Sequence, residues 1–175
     1  PATSELPGSF ETGTQSHEGM AGTTAAVDYF AWIGKEFAGK FQKEHAFDRQ
    51  RTKYVHAALD YLFEYEKLLT LYLIEGLNNL KKIKIQGITQ SDAMDRRLPT
   101  VSFSVDGVHP EEIATELGKN NIFVWSGHSY AIEVVKSLGL YENGGVIRTG
   151  PVHYNSIEEI KEFLNILESI LTTKQ

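Results

Sequence analysis

Apolar residues recur at helical spacing through Met20, Ala21, Val27, Ala31 and Trp32, and they predict a helix over 16–37 that stops near Gly39. Before it, Pro1, Ser4, Pro7, Gly8 and Ser9 read as an extended, turn-rich arm. A longer helical stretch spans 49–80. Val55, Leu59, Leu62, Leu69, Leu73 and Leu77 trace one of its faces, and Tyr61, Leu68, Leu71 and Ile74 add apolar groups on others. A helix apolar on most sides is buried on most sides. Isolated, this one leaves an apolar patch over 68–80, so it is expected to pack between two bodies, either two domains or two subunits.

The period then changes from 3.6 to two. Ile83 and Ile85 open a short strand, and Val101, Phe103 and Val105 alternate with Ser102 and Ser104 in a second. Asp106-Gly107 turns the chain, and Pro110 with Glu111 and Glu112 starts a helix carrying Ile113 and Leu117. A strand over 122–125, a short helix over 132–138 and a strand over 146–149 come next. Ser156 and Glu159 form a capping box for a last helix striped by Ile157, Ile160, Phe163, Leu167 and Leu171. This order predicts an α+β fold: a short, mostly antiparallel sheet with helices on one side, preceded by two long helices.

Composition narrows the classes. A hydrophobic fraction of 41% and a charged fraction of 23% are ordinary for a soluble globular protein. The net charge of -6 argues against a nucleic-acid partner. With no cysteine there is no disulfide, no thiolate metal site and no cysteine nucleophile. No apolar run reaches the ~18 residues of a spanning helix, and no leader pattern opens the chain, so the expectation is no membrane partner and a cytoplasmic location. The chain starts at Pro1, which fits either a removed initiator methionine or a piece of something longer.

Chemistry is sparse. His17, His45, His56, His109, His128 and His153 show no paired spacing on one helix face, and there is no His-Glu-x-x-His run, so no metal site is expected. Three stretches stand out. Phe10-Glu11-Thr12-Gly13-Thr14-Gln15 precedes a helix, where free backbone N–H groups, a hydroxyl and the helix dipole suit a phosphate, although a plain capping turn explains it too. Arg148, near the end of a strand beside Gly150-Pro151, offers a fork to a carboxylate, or is simply a surface arginine. Trp125-Ser126-Gly127-His128-Ser129-Tyr130 reads as an aromatic, flexible loop that can overhang a site.

In this order, these stretches resemble the class V aminotransferase and cysteine desulfurase family of fold type I pyridoxal-phosphate enzymes. Phe10 to Thr14 is similar to its Phe-Glu-x-Gly-Thr segment. Pro99 to Ser104 with Gly107 and Pro110-Glu111-Glu112 resembles the opening of its small domain. Gly127-His128 resembles the loop that carries the desulfurase cysteine, and Arg148 with Tyr154-Asn155 resembles the family's ending. The resemblance implies that residues 1–48 are an arm and helix of the large-domain or dimer region. Residues 49–175 are then the small carboxy-terminal domain with its long connecting helix. It implies pyridoxal phosphate as cofactor, with Gly13 and Thr14 touching its phosphate across a homodimer. It also implies a small amino-acid substrate whose α-carboxylate pairs with Arg148, near His128.

The departures are as informative. The family's Schiff-base lysine stands in a Ser-x-His-Lys setting upstream of the Phe-Glu-x-Gly-Thr segment, and no lysine here has that setting. The expectation is a chain that does not hold the cofactor covalently, is inactive alone, and needs the missing amino-terminal domain. Tyr130, after Ser129, stands where a desulfurase has its cysteine. A thiol-dependent desulfurase is therefore disfavoured, while aminotransferase, lyase and epimerase outcomes stay open. A rival reading is a stand-alone, non-catalytic interaction or dimerisation module.

Overall fold

Ser16 ends the arm by accepting a hydrogen bond from Gly19 N at 3.3 Å, and α1 (His17–Glu36) runs from that cap to Phe37. In this computed structural model residues 3–11 and 13–173 are described; Pro1 of the arm and Thr12 of the Phe-Glu-x-Gly-Thr segment lie outside them. Both long helices form where the apolar spacing predicts, the second being α2 (Gln50–Asn79). The chain divides into two units, 1–62 and 63–175, and the division falls inside α2.

In the first unit α1 meets the start of α2 at Gly34. A Cβ there would lie 1.7 Å from Tyr54 O and 3.1 Å from Ala58 N, so only glycine permits this approach. Ile33, Ala58 and Leu62 make a small buried cluster with Phe30 against it. Much of the apolar surface of α1 stays outside: Trp32 is 51% exposed and Met20 49%.

The second unit holds the main core. Strands β1 (Ile83–Gln86), β2 (Val101–Val105), β3 (Trp125–Gly127) and β4 (Val146–Thr149) form one antiparallel sheet in the order β1-β2-β4-β3. Phe103 and Ile147 point from it into a cluster completed by three helices. These are α2, α3 (Pro110–Lys119) and α5 (Ile157–Thr173), which contribute residues such as Leu73, Ile113 and Phe163. The short α4 (Ile132–Ser137) adds Val135 to the buried residues. The expected α+β layout is thus the observed one, with every strand pair antiparallel.

Two expectations change. The patch anticipated over 68–80 is largely covered, because Leu69, Leu73, Ile74 and Leu77 are all buried in this core and Leu68 alone among the leucines of that stretch is half exposed. The third strand starts at Trp125 rather than at residue 122. Ile122 N is still bonded to Leu117 O at 3.1 Å after Asn121 turns left-handed (φ 59°), so the chain is tied to the end of α3 and pairs with β4 only from Trp125 onwards.

Polar clamps close the loops. Arg97 donates to the carbonyls of Ile88, Thr100 (2.8 Å) and Leu98 (3.2 Å), holding the β1–β2 connection, and burial pushes its pKa below the ordinary guanidinium value. Lys67 donates to Asp95, and that bond raises the lysine pKa. The capping box is present: Ser156 N donates to Glu159 Oε2 at 2.7 Å and Glu159 N to Ser156 Oγ at 3.2 Å.

The two helix-packing glycines give a contrast. At Gly76 an added Cβ meets Leu164 Cδ1 at 2.2 Å, the far end of a side chain that can swing away; at Gly34 it meets fixed backbone. Gly34→Ala is expected to destabilise by about 1–3 kcal/mol. Gly76→Ala should cost less, because the helix preference for alanine, about 1 kcal/mol, offsets the repacking. Thermal unfolding followed by circular dichroism checks the ranking, and a larger loss for Gly76→Ala contradicts it.

Candidate cofactor and substrate site

One face of the sheet lies in the core; the other is open around Arg148 and covered further along, where Ser104 and Val146 are buried. Across the open face, Gln86, Ser102, Arg148 and Trp125 stand in one row, because Ser102 pairs with Gln86 and Arg148, and Arg148 pairs with Trp125. Arg148 is exposed, on the strand between β2 and β3, and among the described residues it has no acidic ion-pair partner. A guanidinium without a carboxylate partner, flanked by a hydroxyl and an indole, is free to take a carboxylate from elsewhere.

The loop between β4 and α5 is held firmly. Val152 N donates to Asn155 Oδ1 at 2.9 Å, and Tyr65 Oη donates to Asn155 O at 2.8 Å. His153 N donates to Glu66 Oε1 at 3.1 Å. Two consecutive α2 residues therefore pin this loop, and this fixes the end of the arginine's strand. Nothing in the sequence pattern announces this clamp. Tyr65 fits an apolar stripe and Glu66 a solvated face, and their partners lie 90 and 87 positions away.

The His128 loop begins at the end of β3. Gly127, Ser129 and Tyr130 all have positive φ (112°, 46° and 61°), an unusual run for a stretch with two side-chain-bearing members. Tyr130 N donates to His128 Nδ1 at 3.2 Å, which leaves the ring proton on Nε2. The imidazole stacks on Tyr141 with ring centres 6.3 Å apart. Tyr130, which the motif resemblance sets where a desulfurase has its cysteine, is 95% exposed, while Ser129 Oγ is buried without a hydrogen-bond partner among the described residues. Two clefts of this unit, of about 460 and 660 Å³, have neither Arg148 nor His128 in their walls. Arg148 stands on open surface, and His128 is half-buried.

Gly13 and Thr14 belong to the first unit, both exposed, in a bend directly before α1. The cap itself is Ser16, so the capping-turn reading of this stretch is met by Ser16 and does not occupy Thr14. One grouping escapes helix-face spacing altogether. His45, Asp48 and His56 each bring a potential ligand atom within 4.8 Å of the others. His45 and Asp48 lie in the turn before α2 and His56 lies on α2, so no single helix carries the pattern.

The sequence model of class V aminotransferases matches residues 49–163. The chain belongs to that family. It is 30% identical over 95% of its length to a "Probable cysteine desulfurase" of Pyrococcus abyssi, and that match spans 34% of the relative. It is 34% identical over 64% of its length to an aminotransferase-like protein of Gibberella zeae, spanning 28% of that protein. Among solved structures, the apo cysteine desulfurase of Thermococcus onnurineus superposes with a TM-score of 0.58 and 29% identity, over 71% of this chain and 31% of that one. The chain therefore spans about a third of the length of the curated relatives it matches. Family membership accounts for the α+β unit. The roles expected of Gly13, Thr14, Arg148 and His128 come from the motif resemblance, and the comparisons do not reach them.

The clamp on the β4–α5 loop is testable directly. Asn155→Ala removes the acceptor of the Val152 amide, whose hydrogen exchange should speed up while the Phe103 and Ile147 amides keep their protection. Unchanged exchange at Val152 contradicts the clamp.

Proposed function

We propose that this chain supplies the phosphate-touching and carboxylate-reading groups of a pyridoxal-phosphate enzyme acting on a small amino acid, with the Schiff-base lysine provided by a region it does not contain. The single observation that carries the reading is Arg148: an exposed guanidinium with no acidic partner among the described residues, set on a strand whose end is pinned to α2. In this reading the guanidinium grips the substrate α-carboxylate through a planar two-bond fork, and Ser102 and Trp125 border it.

In this reading each donor suits one charged end of cofactor or substrate. Gly13 and Thr14 offer a backbone N–H and a hydroxyl to the phosphate of the neighbouring subunit's cofactor, near the positive end of α1. His128, with its proton on Nε2, is a hydrogen-bond donor to the substrate side. Pyridoxal phosphate, when bound, supplies the electron sink for the bond broken beside its reactive carbon. No residue of this chain is assigned to its ring or ring nitrogen. The assembly that completes the site is a homodimer together with the lysine-bearing region, in a cytoplasmic setting. Among the described residues no helix is long and apolar enough to cross a membrane.

Tyr130 in place of a cysteine, in a chain with none, turns the reading away from persulfide chemistry and towards an aminotransferase-, lyase- or epimerase-type reaction. Arg148→Lys, made in a protein that includes the lysine-bearing region, keeps the charge and loses the fork. It should weaken amino-acid binding by about tenfold, about 1.4 kcal/mol, with cofactor affinity unchanged. Spectroscopic titration separates the two affinities. Equal amino-acid affinity in both proteins removes the role.

A further inference from the structure

The turn between α1 and α2 folds back so that His45 and Asp48 face His56 of α2. Asp48 Oδ2 lies 2.8 Å from His56 Nδ1 and 3.5 Å from His45 Nδ1, and the two imidazole centres are 5.2 Å apart. Behind His45, its other nitrogen Nε2 is 2.6 Å from Asp60 Oδ2. Asp60 is one helical turn from His56 on the same face of α2.

This arrangement has a definite chemistry. A carboxylate on Nε2 draws the imidazole proton to that side, so the Nδ1 lone pair of His45 points at the already negative Asp48. The His45 Nδ1 lone pair and the Asp48 oxygen face each other at 3.5 Å, while His56 Nδ1 hydrogen-bonds Asp48 Oδ2 at 2.8 Å; a cation entering here replaces that proton and draws on all three atoms. The carboxylate–histidine pair of Asp60 and His45 is also the outer-shell device that orients histidine ligands of metals and raises their basicity. Two imidazole nitrogens with one carboxylate suit transition cations such as Zn²⁺; Mg²⁺ and Ca²⁺ prefer sites made of oxygen.

We propose that His45, Asp48 and His56 bind a divalent transition-metal cation, with Asp60 as the residue that positions His45. The three ligands leave one coordination position to solvent, on the side of the half-exposed His56. The cation clips the connection between the helices onto α2 and stiffens the first unit. The site is independent of the cofactor reading.

The test uses the untagged 175-residue chain, stripped with a chelator and titrated calorimetrically with ZnCl₂ in a non-coordinating buffer. One Zn²⁺ per chain at micromolar affinity or tighter is expected. His56→Ala and Asp60→Asn should each lose about 10- to 100-fold, the second without removing a ligand. Imidazole resonances followed by NMR in the unaltered chain keep the test independent of how the variants fold: Zn²⁺ should shift those of His45 and His56 before those of His17 or His128. Binding no tighter than millimolar overturns the proposal. So does a single tight site that the two substitutions leave unchanged, or a first equivalent of Zn²⁺ that perturbs other histidines.

Discussion

The second unit depends on one packed face. Leu69, Leu73, Ile74 and Leu77 of α2 are almost wholly removed from water, in the same cluster as Phe103, Ile147 and Phe163. Burying side chains of this size contributes about 1.5–3 kcal/mol each, which suffices to hold a four-stranded sheet of short strands that would be marginal alone. Once the sheet is seated, its other face is the only place for Ser102, Arg148 and Trp125. The same helix then reaches past its apolar stripe with Tyr65 and Glu66 to pin the loop after β4. Core and candidate site thus share one element, and loosening the stripe should loosen the arginine.

Much of this layout was readable in the chain. Period-two alternation at Val101 to Val105 gives the buried Phe103 and its outward Ser102. Ser156 with Glu159 gives a cap seen in atomic detail. What escaped was non-local. Ile122 to Val124 looks like a strand by composition, yet Ile122 is held by the end of α3, a constraint no alternation encodes. The coverage of Leu68 to Leu80 depends on how sheet and α5 wrap around a helix, which periodicity leaves open. Leu164 against Gly76 is one detail of that wrap.

The candidate residues divide in the same way. Arg148 and the Gly13-Thr14 pair were visible as motifs, and the structure adds the reason Arg148 is a candidate: it has no acidic partner among the described residues, and its strand is pinned. His128 gains a tautomer and an aromatic platform in Tyr141. The grouping of His45, Asp48 and His56 was invisible, because it joins a turn to a helix and no spacing on one element brings the three together. Family membership explains the fold of the unit, and it does not predict this cluster.

In the proposed function Arg148 grips a substrate carboxylate, Gly13 and Thr14 touch a cofactor phosphate across a homodimer, and the anchoring lysine comes from elsewhere. Adding pyridoxal phosphate to the isolated chain, reducing with borohydride and mapping the modified peptides tests that most directly. Scattered, substoichiometric labelling spread over exposed lysines is expected. One lysine labelled stoichiometrically would contradict it.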